Sequence, residues 1–246
     1  MNQTVENIKK IINLQIAIEA NENAYVQNST GQGSVWPLVF YEYEHNVYDL
    51  DIRSGNLDKT GAYGLKLISY NEKNPENGLE KVNAVSLIFD AKNGIPIAML
   101  NAAPITSYRT GAAAAVSAKY LANKDSKNLL VIGNGNIASY STAAMLLVMN
   151  NIEKVFVYNS KNKITAEKLE NFKNNVNDLI ENPISKNRLE DIKILVNTHG
   201  FRRLNKSITQ YWLIAYHYEN NITHQQILRP LHRRYRKCCQ TSCHRA

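Results

Sequence analysis

The sequence predicts an α/β protein in two parts: a helix with a mostly antiparallel sheet, then a parallel strand–helix unit. Three observations carry that expectation. Aromatic and β-branched residues alternate in short runs through the first hundred positions. Beyond them the stretch ITSYRTGAAAAVSAKYLA leads into strand and helix patterns that alternate at the spacing of a parallel βα unit. The loop Gly133-Asn134-Gly135-Asn136-Ile137-Ala138 then falls between an apolar run and a helix.

Taken in order, Val5, Ile8, Ile11, Ile12, Leu14, Ile16 and Ile18 mostly fit one helical face, so a helix is expected to about Asn21. Asn28 to Ser34 is a turn by composition. VWPLVFYEYEHNVYDLDIRSG reads as one or two strands and GAYGLKLISY as another, with NEKNPENG a loop. Val82–Phe89 and Ile95–Leu100 flank a hairpin turn at Asp90 to Gly94. A helix opened by Arg109 follows, rich in alanine. Next come a buried strand at Asn128–Ile132, a helix at Asn136–Asn150, a strand at Lys154–Tyr158, a helix at Thr165–Ile180 and a third strand at Asp191–Val196. No sustained period at 2 or 3.6 residues follows Thr198. The units are therefore residues 1–122, residues 123–198 (a parallel domain cut off after about three strands) and an atypical tail, 199–246.

The 246 residues, 44% apolar and 20% charged, suit a globular protein with ample core. No apolar run approaches the roughly 20 residues of a membrane span. The N-terminus lacks a signal peptide's basic head and apolar core, so a cytoplasmic location is expected. The net charge of +8 lies wholly in the tail: residues 1–200 hold 20 basic and 20 acidic residues, residues 201–246 hold 9 basic residues against Glu219. Cys238, Cys239, Cys243 and five of the six histidines also lie from 199 onward, and arginine displaces lysine there. A shifted reading frame or unrelated terminus explains that switch better than a nucleic-acid arm, so nucleic acid is not an expected partner. The cysteines lack a paired C-x-x-C or H-x-x-x-H spacing, and no metal is expected.

The glycine loop fits G-x-G-x-x-A. Gly133 permits a tight turn, Gly135 lets a pyrophosphate approach the backbone, and Ala138 allows close helix–strand packing. The anion would sit on the helix N-terminus, where free amides and the dipole favour it; the alternative is a βα turn without a ligand. After the second strand comes Tyr158-Asn159-Ser160-Lys161, without the carboxylate that would bind a ribose 2′-hydroxyl. NADP is therefore expected, with NAD possible, and Lys161 or Lys163 would pair with the 2′-phosphate. Arg109 would reach the cofactor or a carboxylate, or else form a surface ion pair. Lys66, within GLKLIS, is either a buried amine of lowered pKa able to exchange protons or a lysine snorkelling from an edge strand.

WPLVFYEYEHNVYDLDIRSG, GLKLIS, NPENGL, IFDAKNGIPIAMLNAAPITSYRTGAAAAVSAKYLA and LLVIGNGNIA together resemble the ornithine cyclodeaminase/mu-crystallin family from about Trp36 to Thr198. The resemblance implies a substrate and dimerisation domain joined to a Rossmann domain, a homodimer, and an amino acid or cyclic imine as substrate. By it, Lys66 contacts substrate and relays protons. Arg109, with Thr110 beside it, lies near cofactor and substrate carboxylate. Asn134, Asn136, Ile137, Asn159, Ser160, Lys161 and Thr198 fall on cofactor-contacting positions. Many members carry an arginine where this chain has Val39, after Pro37-Leu38, and Arg53 is the candidate substitute. The family's catalytic aspartate and returning segment are not recognisable after Thr198. The expectation is an NAD(P)-dependent oxidoreductase or cyclodeaminase, truncated and impaired. The competing reading is a non-catalytic cofactor-binding or basic-tailed interaction protein.

Overall fold

A computed structural model describes residues 2–3, 8, 11–159, 164–181, 191–196 and 211–215. Its elements are β1 (Asn2–Gln3), α1 (Leu14–Ser29), β2 (Gly33–Val35), β3 (Val39–Glu44), β4 (Tyr48–Leu57), β5 (Ala62–Asn71), β6 (Val82–Asp90), β7 (Pro96–Asn101), α2 (Ala102–Leu121), β8 (Asn128–Ile132), α3 (Asn136–Val148), β9 (Lys154–Tyr158), α4 (Ala166–Asp178), β10 (Lys193–Val196) and β11 (Tyr211–Ala215).

Helix α1 begins at Asn13, whose side chain accepts from the Ile16 amide at 2.9 Å. It runs about two turns past Asn21, and Asn28 and Ser29 belong to it. The Ser29 and Thr30 hydroxyls bond back to the Val26 carbonyl, so these polar residues satisfy the end of the helix. The predicted turn starts there, with Gly31 at φ 72°.

Strands β3 to β7 form an antiparallel meander whose order is β7-β6-β5-β4, with β2 and β3 both pairing with β4 and β1 joining β7 in parallel. The predicted hairpin closes where Asp90 exchanges backbone bonds with Ile95 and Gly94, the latter at φ 74°. Register puts Arg53, Lys66 and Ser86 in one row on one sheet face. The opposite face presents Val39, Tyr41, Ile52, Leu50, Leu65, Leu67, Leu87 and Met99. Val39, Tyr41 and Met99 are exposed there.

The second sheet is parallel, in the order β10-β9-β8-β11. Three of its strands are the predicted ones; β11 adds to the free edge of β8 from the stretch where no periodicity was legible. Five residues, YWLIA, are too short a run to separate strand from other structure by period alone. The main core gathers α1, α2, α3 and α4 over β8 and β9, through Leu14, Ile18, Leu129, Val131, Met145 and Phe172 among others. At about 25 cal/mol per Å2 of apolar area, such burial is the principal stabilising term.

Helix α2 is the bridge between the sheets. It starts at Ala102, capped by the Asn101 side chain on the Ala103 amide at 3.1 Å, with Pro104 in its first turn. Arg109 therefore lies within a 20-residue helix and does not open it, because the capped start draws ITSYR into the same helix. Helix α3 crosses α2 at Gly111, where a Cβ would meet the Tyr140 carbonyl oxygen at 2.7 Å and its carbon at 2.8 Å. Only glycine admits so close a backbone approach. Tyr108 and Tyr140 pack edge to face beside it, centroids 4.9 Å apart.

Candidate functional site

The site lies around α2, with the antiparallel sheet on one side and the glycine loop on the other. Lys66 is on β5, an interior strand flanked by β4 and β6, so it does not snorkel from a sheet edge. Its side chain is half-buried and reaches α2, where Nζ lies 3.2 Å from Thr106 Oγ1. Burial, chiefly, lowers its pKa to about 8; Arg109 and Arg53 push the same way, and Asp51 opposes them. An amine in that range exchanges protons near neutral pH.

Arg53 stands opposite Lys66 in register and is held in plane by Asp51, which accepts from Nε at 3.1 Å and Nη2 at 2.9 Å. Arg109 is exposed on α2, one turn beyond Thr106. Three cations thus surround one face of the sheet, an arrangement complementary to a carboxylate. Thr110 is buried within α2, its hydroxyl donating to the Thr106 carbonyl at 2.7 Å. Val39 lies on the sheet face opposite Lys66.

The loop after β8 has the predicted form. Gly133 takes φ 100°, which favours glycine, and its amide bonds to the Tyr158 carbonyl at 2.7 Å. Gly135, at φ −79° and ψ −179°, sits in a conformation open to any residue, and a Cβ there would meet no atom within 4 Å. Its carbonyl accepts from the Ala138 and Ser139 amides at 3.0 and 3.4 Å, but as the N-cap of α3 it offers the first turn no side-chain oxygen. Among the described residues nothing requires glycine at 135. Ile137 is half-buried and Ala138 is buried against the core, as close helix–strand packing demands.

Two polar contacts fix the loop. Asn159 Nδ2 donates to Asn134 Oδ1 at 2.7 Å, joining the ends of β8 and β9. Asn136 Nδ2 donates to Ser107 Oγ at 2.9 Å, joining α3 to α2. Thr106 and Ser107 lie within the ITSYRTGAA stretch without an assigned role there, and the fold brings them to Lys66 and Asn136. Ser160, Lys161, Lys163 and Thr198 lie outside the described residues, as do the tail's cysteines and its excess charge.

A sequence profile of the ornithine cyclodeaminase/mu-crystallin family matches residues 1–202. The chain belongs to that family. Ornithine cyclodeaminase/mu-crystallin relatives include amino-acid dehydrogenases, imine reductases and cyclodeaminases. The chain is 32% identical over 160 residues to alanine dehydrogenase of Archaeoglobus fulgidus, covering 65% of this chain and 48% of that protein. The solved structure of Thermococcus litoralis Delta(1)-pyrroline-2-carboxylate reductase with NADH and L-proline matches with a TM-score of 0.66 at 30% identity, over 80% of this chain and 56% of that one. An archaeal alanine dehydrogenase dimer with bound NAD gives 0.68 at 28% identity, over 80% and 55%. The chain thus spans about half the length of the family members it matches. Among the described residues no helix is long and apolar enough to cross a membrane.

Proposed function

We propose that this chain holds a nicotinamide dinucleotide on the Gly133–Ala138 loop and an amino acid or cyclic imine against Lys66, as an oxidoreductase or cyclodeaminase of its family. The observation that carries the reading is Gly135, a glycine that neither its backbone conformation nor packing among the described residues demands, at a helix N-terminus without a side-chain cap. The cofactor supplies the hydride chemistry. In this reading Arg53 and Arg109 hold the substrate carboxylate, Lys66 exchanges a proton with the substrate nitrogen or carbon, and Asn134, Asn136 and Asn159 shape the dinucleotide loop. Thr110 orders α2 beside Arg109, and Ser160, Lys161 and Thr198 border the cofactor.

For the cofactor we favour NADP over NAD, although the two solved relatives carry NADH and NAD. The support is the missing acid: Asn159 follows β9, and its amide is tied to Asn134. Titrating the chain with NADPH and NADH tests this by protein-to-nicotinamide energy transfer, and tighter NADH binding refutes the preference. Imine reduction, measured on the same sample, separates an active enzyme from a truncated, impaired one or from the non-catalytic cofactor-binding protein that is the second reading. We assign the exposed apolar face of the antiparallel sheet to a second copy of the chain. A relative solved as a dimer supports this; sedimentation as a monomer at tens of micromolar would remove it. A cytoplasmic setting accords with this chemistry.

A further inference from the structure

Lys66 is reached by a hydroxyl whose own hydrogen is already committed. Thr106 Oγ1 donates to the Ala102 carbonyl at 2.9 Å, and a carbonyl only accepts. The hydroxyl therefore meets Lys66 Nζ, at 3.2 Å, with lone pairs alone. Next along the same helix, buried Ser107 accepts from Asn136, the first residue of the loop helix. Consecutive residues of α2 thus hold the substrate-side amine and the dinucleotide loop.

We infer that Thr106 is a positioning residue for Lys66, an obligate hydrogen-bond acceptor that fixes the amine against α2 and favours its protonated form. The inference rests on the reading of Lys66 as the substrate-facing amine. The groups facing Lys66 make this acceptor matter. Arg53 from β4 and Arg109 from α2 both disfavour a third cation, Asp51 favours it while bound to Arg53, and Ser86 from β6 is its uncharged cross-strand neighbour. A hydrogen bond to a charged donor is stronger than one to the neutral amine. Thr106 therefore sets both where the amine lies and how readily it keeps its proton, while Ser107 fixes the same helix to the cofactor loop.

The test needs neither cofactor nor turnover. The full chain is treated with trace acetic anhydride across a range of pH, and Lys66 acylation is read peptide by peptide by mass spectrometry, because only the neutral amine reacts. Thr106→Val should lower the Lys66 midpoint by about half to one pH unit, a roughly three- to tenfold change in proton affinity. Thr106→Ser should restore it, which a purely space-filling role would not require. Thr106→Ala serves the same comparison if the valine variant does not fold. A midpoint unchanged in the valine or alanine variant, or not restored by serine, overturns the inference. A parent chain that binds neither NADPH nor NADH, with the midpoint shift intact, would strike the proposed function and leave this inference standing.

Discussion

Replacing Gly111 with alanine sets two effects of opposite sign against each other. Alanine is the better helix former by about 1 kcal/mol, so propensity alone predicts stabilisation. Packing predicts the reverse. The new Cβ would lie 2.7, 2.8 and 3.1 Å from the Tyr140 oxygen and carbon and the Ser141 nitrogen, all backbone atoms that cannot swing aside. The helices must part, at a typical overpacking cost of about 1–3 kcal/mol. Parting them also loosens the Tyr108–Tyr140 contact, worth about 0.5–1.5 kcal/mol, and the Asn136–Ser107 hydrogen bond, about 1 kcal/mol. Packing wins, and Gly111→Ala should be destabilised by about 1–2 kcal/mol net of the helix gain. Urea unfolding followed by circular dichroism reads this as a lower midpoint at unchanged slope. A midpoint at or above that of the parent chain would refute the argument that α2 and α3 meet backbone to backbone.

Two further predictions concern the cations facing α2. Lys66 sits at about 8 against an ordinary 10.5, so between those values the folded chain binds fewer protons than the unfolded one, and this group makes stability rise with pH. Lys66→Met should therefore be more stable than the parent at pH 7, by about 1 kcal/mol once solvent contact is discounted. The gap should close as pH climbs from about 8 toward 10.5 in paired unfolding curves; a gap that widens instead would reverse the assigned cause. Arg53→Met should weaken capture of an amino-acid carboxylate at least about tenfold, the scale of a lost charge-assisted bond. Calorimetry with L-proline in the presence of NADH checks it, and unchanged affinity would remove Arg53 from the substrate site.

The parts legible in the sequence are those whose causes are local. A five-residue apolar strand, two glycines at fixed offsets and a following helix identify the Gly133–Ala138 loop, because each residue's reason lies within a few positions of it. The hairpin at Asp90–Gly94 is legible for the same reason. Helix α2 is half legible. Its alanine run declares a helix, yet its start lies seven residues before Arg109, marked by Asn101 and Pro104, a cap-and-proline pattern readable in principle. Long-range causes stay hidden. Gly111 is glycine because of Tyr140, and Thr106 matters because β5 delivers Lys66 forty residues away in sequence. Strand β11 is recognisable by the partner it finds in β8, while its own sequence is short and aperiodic.

Gly135 is the centre of the proposed dinucleotide site, and Gly135→Ser tests that site. Serine at this N-cap has room for its Cβ and supplies a side-chain capping oxygen, so the folded chain should be unchanged or more stable by about a few tenths of a kcal/mol. The same side chain would occupy the approach of a pyrophosphate to the helix N-terminus. Fluorescence titration of the purified chain with NADPH and NADH should give binding by the parent and at least about tenfold weaker binding by the variant, with melting curves that do not fall. A parent chain that binds neither dinucleotide, or a serine variant that binds as tightly as the parent, would contradict it.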